Sequence, residues 1–135
     1  MATPIKIYAD ITQIQIGWSP PTDTGYSDLL GYLVYWNGGG SGSILPEPIY
    51  DTASTEILMY TLVPPMLVSG VQYSFAVAAY NDVTVSERSN ILQIIAAEIP
   101  DQPGAVVRSS SAVNAVTFIW VAPHDGGSPI TSYLV

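Results

Sequence analysis

The chain has no cysteine, a single histidine and only three basic residues, Lys6, Arg88 and Arg108, against 11 acidic ones. Each shortage removes a class of chemistry. Without thiols there is neither a disulfide framework nor a thiolate zinc site. With one imidazole, His124, a transition-metal centre lacks its second nitrogen ligand. A formal net charge of −8 leaves no cationic patch to neutralise phosphates, so nucleic acid is not an expected partner. No apolar run reaches the roughly 18 residues of a membrane span, so membrane insertion is not expected either. Residues 1–10 lack the apolar centre of a signal peptide, and no Asn-x-Ser/Thr acceptor occurs. Neither absence assigns a compartment. Helical periodicity is missing throughout.

What is present is a series of short apolar runs, 48% hydrophobic residues in all, interrupted by 11 glycines and 11 prolines. Thr12–Trp18 alternates strictly and puts Ile14, Ile16 and Trp18 on one strand face. A short strand around Ile5 and Tyr8 precedes it. The Pro20-Pro21 loop then halts the ladder, since proline donates no hydrogen bond and fixes φ. Tyr32–Trp36 is aromatic and β-branched, with Tyr32, Val34 and Trp36 facing one way and Leu33 and Tyr35 the other. A flexible turn is expected over Asn37–Gly42 and an extended edge segment over 44–50, where Pro46 and Pro48 deny pairing to outside chains. Further strands are expected over 55–61, 71–79 and 90–96. The longest of them carries Val71, Tyr73, Phe75, Val77 and Ala79 on one face. Seven short strands with turns between them predict an all-β, seven-stranded antiparallel sandwich.

The chain also begins to repeat itself. Trp18-Ser-Pro-Pro-Thr-Asp-Thr-Gly returns as Trp120-Val-Ala-Pro-His-Asp-Gly-Gly, and Tyr32-Leu-Val as Tyr133-Leu-Val. The tryptophans stand 102 residues apart and the tyrosines 101, about the length of a small domain. The expected organisation is a sandwich over 1–97, a stiff proline-containing linker over 98–104, and the first three strands of a second unit over 105–135. Three strands leave Trp120, Phe118, Val116 and Tyr133 uncovered, so continuation of the chain or completion by a neighbouring chain is expected.

On these residues the sequence resembles the fibronectin type III repeat. Trp18 stands where that family places the inner tryptophan of its second strand, and Tyr32 matches the tyrosine opening the third. Leu62, Pro65, Gly70 and Tyr73 match the family's tyrosine corner, in which the phenol hydroxyl bonds back to the preceding turn. Val77, Ala79 and Asn81 fit the ending of that strand. The resemblance implies a structural core of Trp18, Tyr32, Leu62, Tyr73 and Phe75, with Trp120 and Tyr133 as the corresponding anchors of the second unit. The run Pro64–Ser69 is longer than the family's usual turn, which predicts a displaced corner. Arg-Gly-Asp is absent from the Asn81–Arg88 loop, so integrin binding is not implied. Ser86-Glu-Arg-Ser89 only faintly echoes the cytokine-receptor Trp-Ser-x-Trp-Ser signature.

Candidate chemistry is thin. A Ser-His-Asp triad would need His124 oriented by a scaffold that the incomplete second unit does not supply, so none is expected. Asp23, Asp28 and Asp125 lie in loops without an Asp-x-Asp-x-Asp-Gly run and read as turn-capping acids rather than calcium ligands. A small sandwich offers no cleft for paired catalytic carboxylates. No catalytic residue, cofactor site or metal site is therefore assigned. Tyr26, Tyr50, Tyr35 and Trp36 are the aromatic candidates for sugar stacking or a protein interface; Trp36 reads as core, and Leu33 with Tyr35 as the outward surface. The expected function is a non-enzymatic structural or adhesive module of a larger tandem-repeat protein at the cell surface or outside it, a stiff spacer and assembly unit that forms filaments or coats. Its partners would be other copies, adjacent repeats, surface proteins or glycans. The alternatives are a protein- or glycan-recognition module and an intracellular cytoskeletal or ciliary repeat.

Overall fold

The computed structural model describes residues 1–135 and contains nine strands and no helix. They are β1 (Ile5–Ala9), β2 (Ile14–Gly17), β3 (Leu29–Trp36), β4 (Tyr50–Asp51), β5 (Met59–Leu62), β6 (Gln72–Asn81), β7 (Leu92–Ile95), β8 (Val107–Ala112) and β9 (Ala115–Ile119). The first seven build two antiparallel sheets, ordered β1-β2-β5 and β4-β3-β6-β7, and the last two form a separate hairpin.

Alternation explains the sandwich. Ile14, Ile16, Trp18 and Leu62 leave one sheet on the same side as Tyr32, Val34, Tyr73, Phe75, Val77 and Ala79 leave the other, and all ten are buried. With Leu67, Ile94 and Ala96 they form one core cluster. Trp18 meets Tyr32 edge to face at 5.7 Å across it. Such pairs add about 0.5–1.5 kcal/mol to the burial of the rings.

Several elements differ from the sequence expectation. The segment at 55–61 becomes a strand only at Met59, because Asp51, Thr52 and Ser54 hold residues 51–56 in side-chain-closed turns. The turn at 37–42 is pinned rather than flexible. Asn37 donates to the Gly40 carbonyl at 2.7 Å and accepts from the amides of Gly39 and Ser74 at 3.1 Å each. In the second unit only two strands form, not three, and Pro129–Val135 is irregular. The physical reason lies in pairing: β3, the counterpart of a strand at Tyr133, is held by β4 and β6, whereas β8 and β9 pair only with each other and no strand lies against 129–135. All residues of β8 and β9 are exposed.

Candidate functional site

The outward face of the four-stranded sheet was expected to present Leu33 and Tyr35. It is closed instead. The Arg88 guanidinium lies 3.8 Å above the centre of the Tyr35 ring and donates through Nη2 to the Pro46 carbonyl at 2.8 Å. Tyr35 is left 7% exposed and Leu33 half-buried. The residues paired with them across the sheet, Ala76 and Ala78, are buried too. A long cationic side chain can cover an aromatic ring while its charge stays wet, so the outward tyrosine is not a free stacking platform.

Trp36 is half-buried and stacks on Tyr73 at 6.2 Å, and Tyr50 packs against Tyr60 at 5.3 Å. Tyr26 is fully exposed at φ 62°. Asp23 accepts from the Gly25 amide at 2.8 Å and Asp125 from the Gly127 amide at 3.0 Å, so both acids close turns. His124 Nδ1 accepts from the Gly126 amide at 3.2 Å. No three His, Cys, Asp or Glu side chains converge to hold a metal ion.

The tyrosine corner forms within the long turn. Tyr73 Oη donates to the Met66 carbonyl at 2.9 Å and accepts from the Val68 amide at 2.7 Å. Gly70, just beyond, donates to the Ala96 carbonyl at 2.8 Å, and Ala96 returns a bond to Val71 at 3.0 Å. The corner therefore fixes the point at which the chain leaves the first sandwich.

From that point the two units are joined by backbone. Glu98, Asp101 and Gly104 donate to the carbonyls of Gly126, His124 and Val121 at 2.8, 3.0 and 3.2 Å. The segment 98–104 thus runs antiparallel to 121–126 instead of hanging free. Gly127 meets the corner itself: a β-carbon there would lie 2.8 Å from Ser69 Oγ and 2.9 Å from the Gly70 nitrogen. Beside this contact opens a cleft of about 690 Å³ whose lining includes Tyr8, Asp10, Glu98, Asp125 and Ser128. In the second unit, Trp120 is half-buried and Tyr133 38% exposed. They still make the edge-to-face pair of Trp18 and Tyr32, at 5.3 Å. The expected anchors have their mutual contact but no surrounding core, because the strands that cover Trp18 have no counterpart over Trp120.

The polar side chains that complete the strand ladders were not singled out in the sequence. Ser89 and Ser86 each donate a backbone amide to a β6 carbonyl, Val77 and Ala79 respectively, at 2.9 and 2.8 Å. Each hydroxyl then accepts the amide of that same β6 residue at 3.1 Å. Two serines continue the ladder where β7 has not yet begun. Thr52 serves β3 likewise, its hydroxyl accepting from the Tyr32 amide at 2.9 Å. The three-residue spacing of Ser86 and Ser89 was the available signal.

The fold agrees with comparisons to known proteins. Residues 8–95 match the model of the Fibronectin type III domain, and the chain belongs to that family. Its relatives include Fibronectin type-III domain-containing protein 3A of Mus musculus, 30% identical over 99% of this chain and 11% of the relative. The Homo sapiens protein of that name is 31% identical over the same shares. Myomesin-2 of Homo sapiens is 29% identical over 90% of this chain and 8% of the relative. Among solved structures, the sixth fibronectin type III domain of human fibronectin type III domain containing protein 3 superposes with a TM-score of 0.57 at 22% identity, covering 70% of this chain and 81% of that one. The twitchin kinase region of C. elegans superposes with a TM-score of 0.58 at 22% identity, over 69% of this chain and 15% of that one. The chain spans about a tenth of the curated relatives it matches. It is a fibronectin type III module of the kind found in larger repeat proteins.

Proposed function

We propose that the chain is a non-enzymatic structural module, a stiff spacer and assembly unit in a larger tandem-repeat protein. The observation that carries this reading is the joint. Three backbone hydrogen bonds tie the linker to the following loop, and that loop abuts the tyrosine corner of the preceding sandwich. A spacer has to transmit orientation, and backbone bonds at a close-packed turn do so better than a flexible linker. Adjacent repeats and other copies are its partners. A cysteine-free sandwich folds in reducing and oxidising surroundings alike, so the role holds at the cell surface and within the cell. Recognition through Leu33 and Tyr35 is disfavoured, because Arg88 covers the ring such a ligand would stack on.

The test is the tumbling of the two units. Backbone ¹⁵N relaxation is expected to return one rotational correlation time for residues 14–95 and 107–119. Two distinct times would overturn the spacer reading.

A further inference from the structure

We infer that residue 126 is the specificity determinant of the joint: the seat formed by Ser69–Gly70 and Glu98–Ile99 accepts a following loop of Asp-Gly-Gly type and rejects one of Asp-Thr-Gly type. The inference rests on the joint geometry and gives the spacer reading a rule for which loop can follow which sandwich.

The two copies of the loop begin alike and then part. Asp23 and Asp125 each accept the amide two residues on, which aligns Thr24 with Gly126. In the second copy the left-handed residues are Gly126 and Gly127, at φ 69° and 89°. In the first they fall one residue later, at Gly25 and Tyr26, at φ 70° and 62°. The carbonyl at the aligned position turns to different partners. That of Thr24 accepts from Asn81 Nδ2 at 3.0 Å, within its own sandwich. That of Gly126 accepts from the Glu98 amide at 2.8 Å, on the linker upstream.

Only glycine can occupy the second arrangement. A β-carbon on Gly126 would collide with the Glu98 carbonyl oxygen and stand 2.9 Å from its carbon and 3.0 Å from the Ile99 oxygen. These are backbone atoms, which cannot rotate aside. A β-branched residue at φ 69° adds strain of its own. Threonine, the residue of the first copy, therefore fails on both counts, and its loop is closed back on Asn81. The seat on one sandwich and the glycine pair on the next form a matched set.

Asparagine separates contact from strain, because it tolerates positive φ yet carries a β-carbon. Amide hydrogen exchange on the whole 135-residue chain reads the joint directly at Glu98 and Asp101. In the wild type both amides should exchange at least about tenfold more slowly than in an unstructured peptide. Gly126→Asn should remove that protection while Phe75 and Val77 keep theirs, showing the sandwich intact. Thr24→Gly should leave Glu98 and Asp101 unchanged. Unprotected Glu98 and Asp101 in the wild type, or full protection in Gly126→Asn, overturns the inference. The spacer reading fails separately: protection lost on Gly126→Asn together with two correlation times in the wild type keeps the seat and removes the stiff spacer. One correlation time in both proteins, with protection unchanged by the substitution, does the reverse.

Discussion

Two buried tyrosines meet opposite fates at their hydroxyls. Tyr73 Oη is satisfied twice at the corner, whereas Tyr32 Oη, like Trp18 Nε1, is buried without a partner. Burial also pushes the Tyr32 phenol above its ordinary pKa, since an ionised oxygen would be poorly solvated there. An unpaired buried polar group costs about 1–3 kcal/mol, and removing one partner of a buried pair costs a similar amount. Tyr73→Phe is therefore expected to destabilise by about 1–2 kcal/mol. Tyr32→Phe is expected to be neutral or to stabilise by up to about 1 kcal/mol. Urea unfolding midpoints of the two variants check the contrast, and equal losses would contradict it. The sequence placed both rings inside, because alternation along β3 and β6 decides which face a residue takes. The tyrosine-corner resemblance accounted for the Tyr73 hydroxyl, whose partners come from a turn five to seven residues away; nothing in the pattern indicated that the Tyr32 hydroxyl is left without one.

At the scale of elements, side chains finish what the strands leave open. The turn between β1 and β2 is organised by Asp10, whose carboxylate accepts from the Thr12 hydroxyl and amide at 2.7 Å each, from the Gln13 amide at 2.8 Å, and from Tyr8 Oη at 2.8 Å. The Thr12 hydroxyl bond, followed by that of Tyr8, holds the Asp10 pKa down at about 2. Because the folded value is depressed, the stability it contributes is present above the unfolded carboxyl pKa of roughly 4 and is lost as pH falls through about 2. Asp10→Asn should flatten the fall in melting temperature between pH 4 and 2, approximately; an unchanged acid limb would refute the assignment. The serine rungs make a second case. Ser89 is 8% exposed and Ser86 open to solvent, so water replaces the lost hydroxyl at 86 but not at 89. Ser89→Ala should cost about 1–2 kcal/mol and Ser86→Ala less than about 0.5 kcal/mol, measured by thermal unfolding. Strand identities were legible from period-two patterns. The late start of β5 and the serine ladder were not, because they depend on which backbone groups the sheet leaves unpaired.

Across the whole molecule, stability is unevenly distributed. β6 lies between β3 and β7 with its central residues buried on both faces, while β8 and β9 pair only with each other and every residue is exposed. A lone two-stranded hairpin is marginal in water. Amides of β6 should therefore exchange only through global opening. Those of β8 and β9 should exchange at least about a hundredfold faster, through local opening that still leaves most molecules paired. Equal protection across 107–119 and 72–81 would show that the hairpin is part of the core. By itself the sequence determined the all-β class, the succession of strands along the chain, the central aromatic and aliphatic residues of the first core, and the internal repetition, because each follows from local period, turn chemistry and self-similarity. Only the tertiary structure decided that Arg88 covers Tyr35, that two strands rather than three form after the linker, and that Gly126 and Gly127 seat against the corner behind them. Those outcomes rest on contacts between segments far apart in the chain, such as Pro46 with Arg88 and Gly70 with Gly127, and no local pattern encodes which distant backbone will occupy the space beside a given residue.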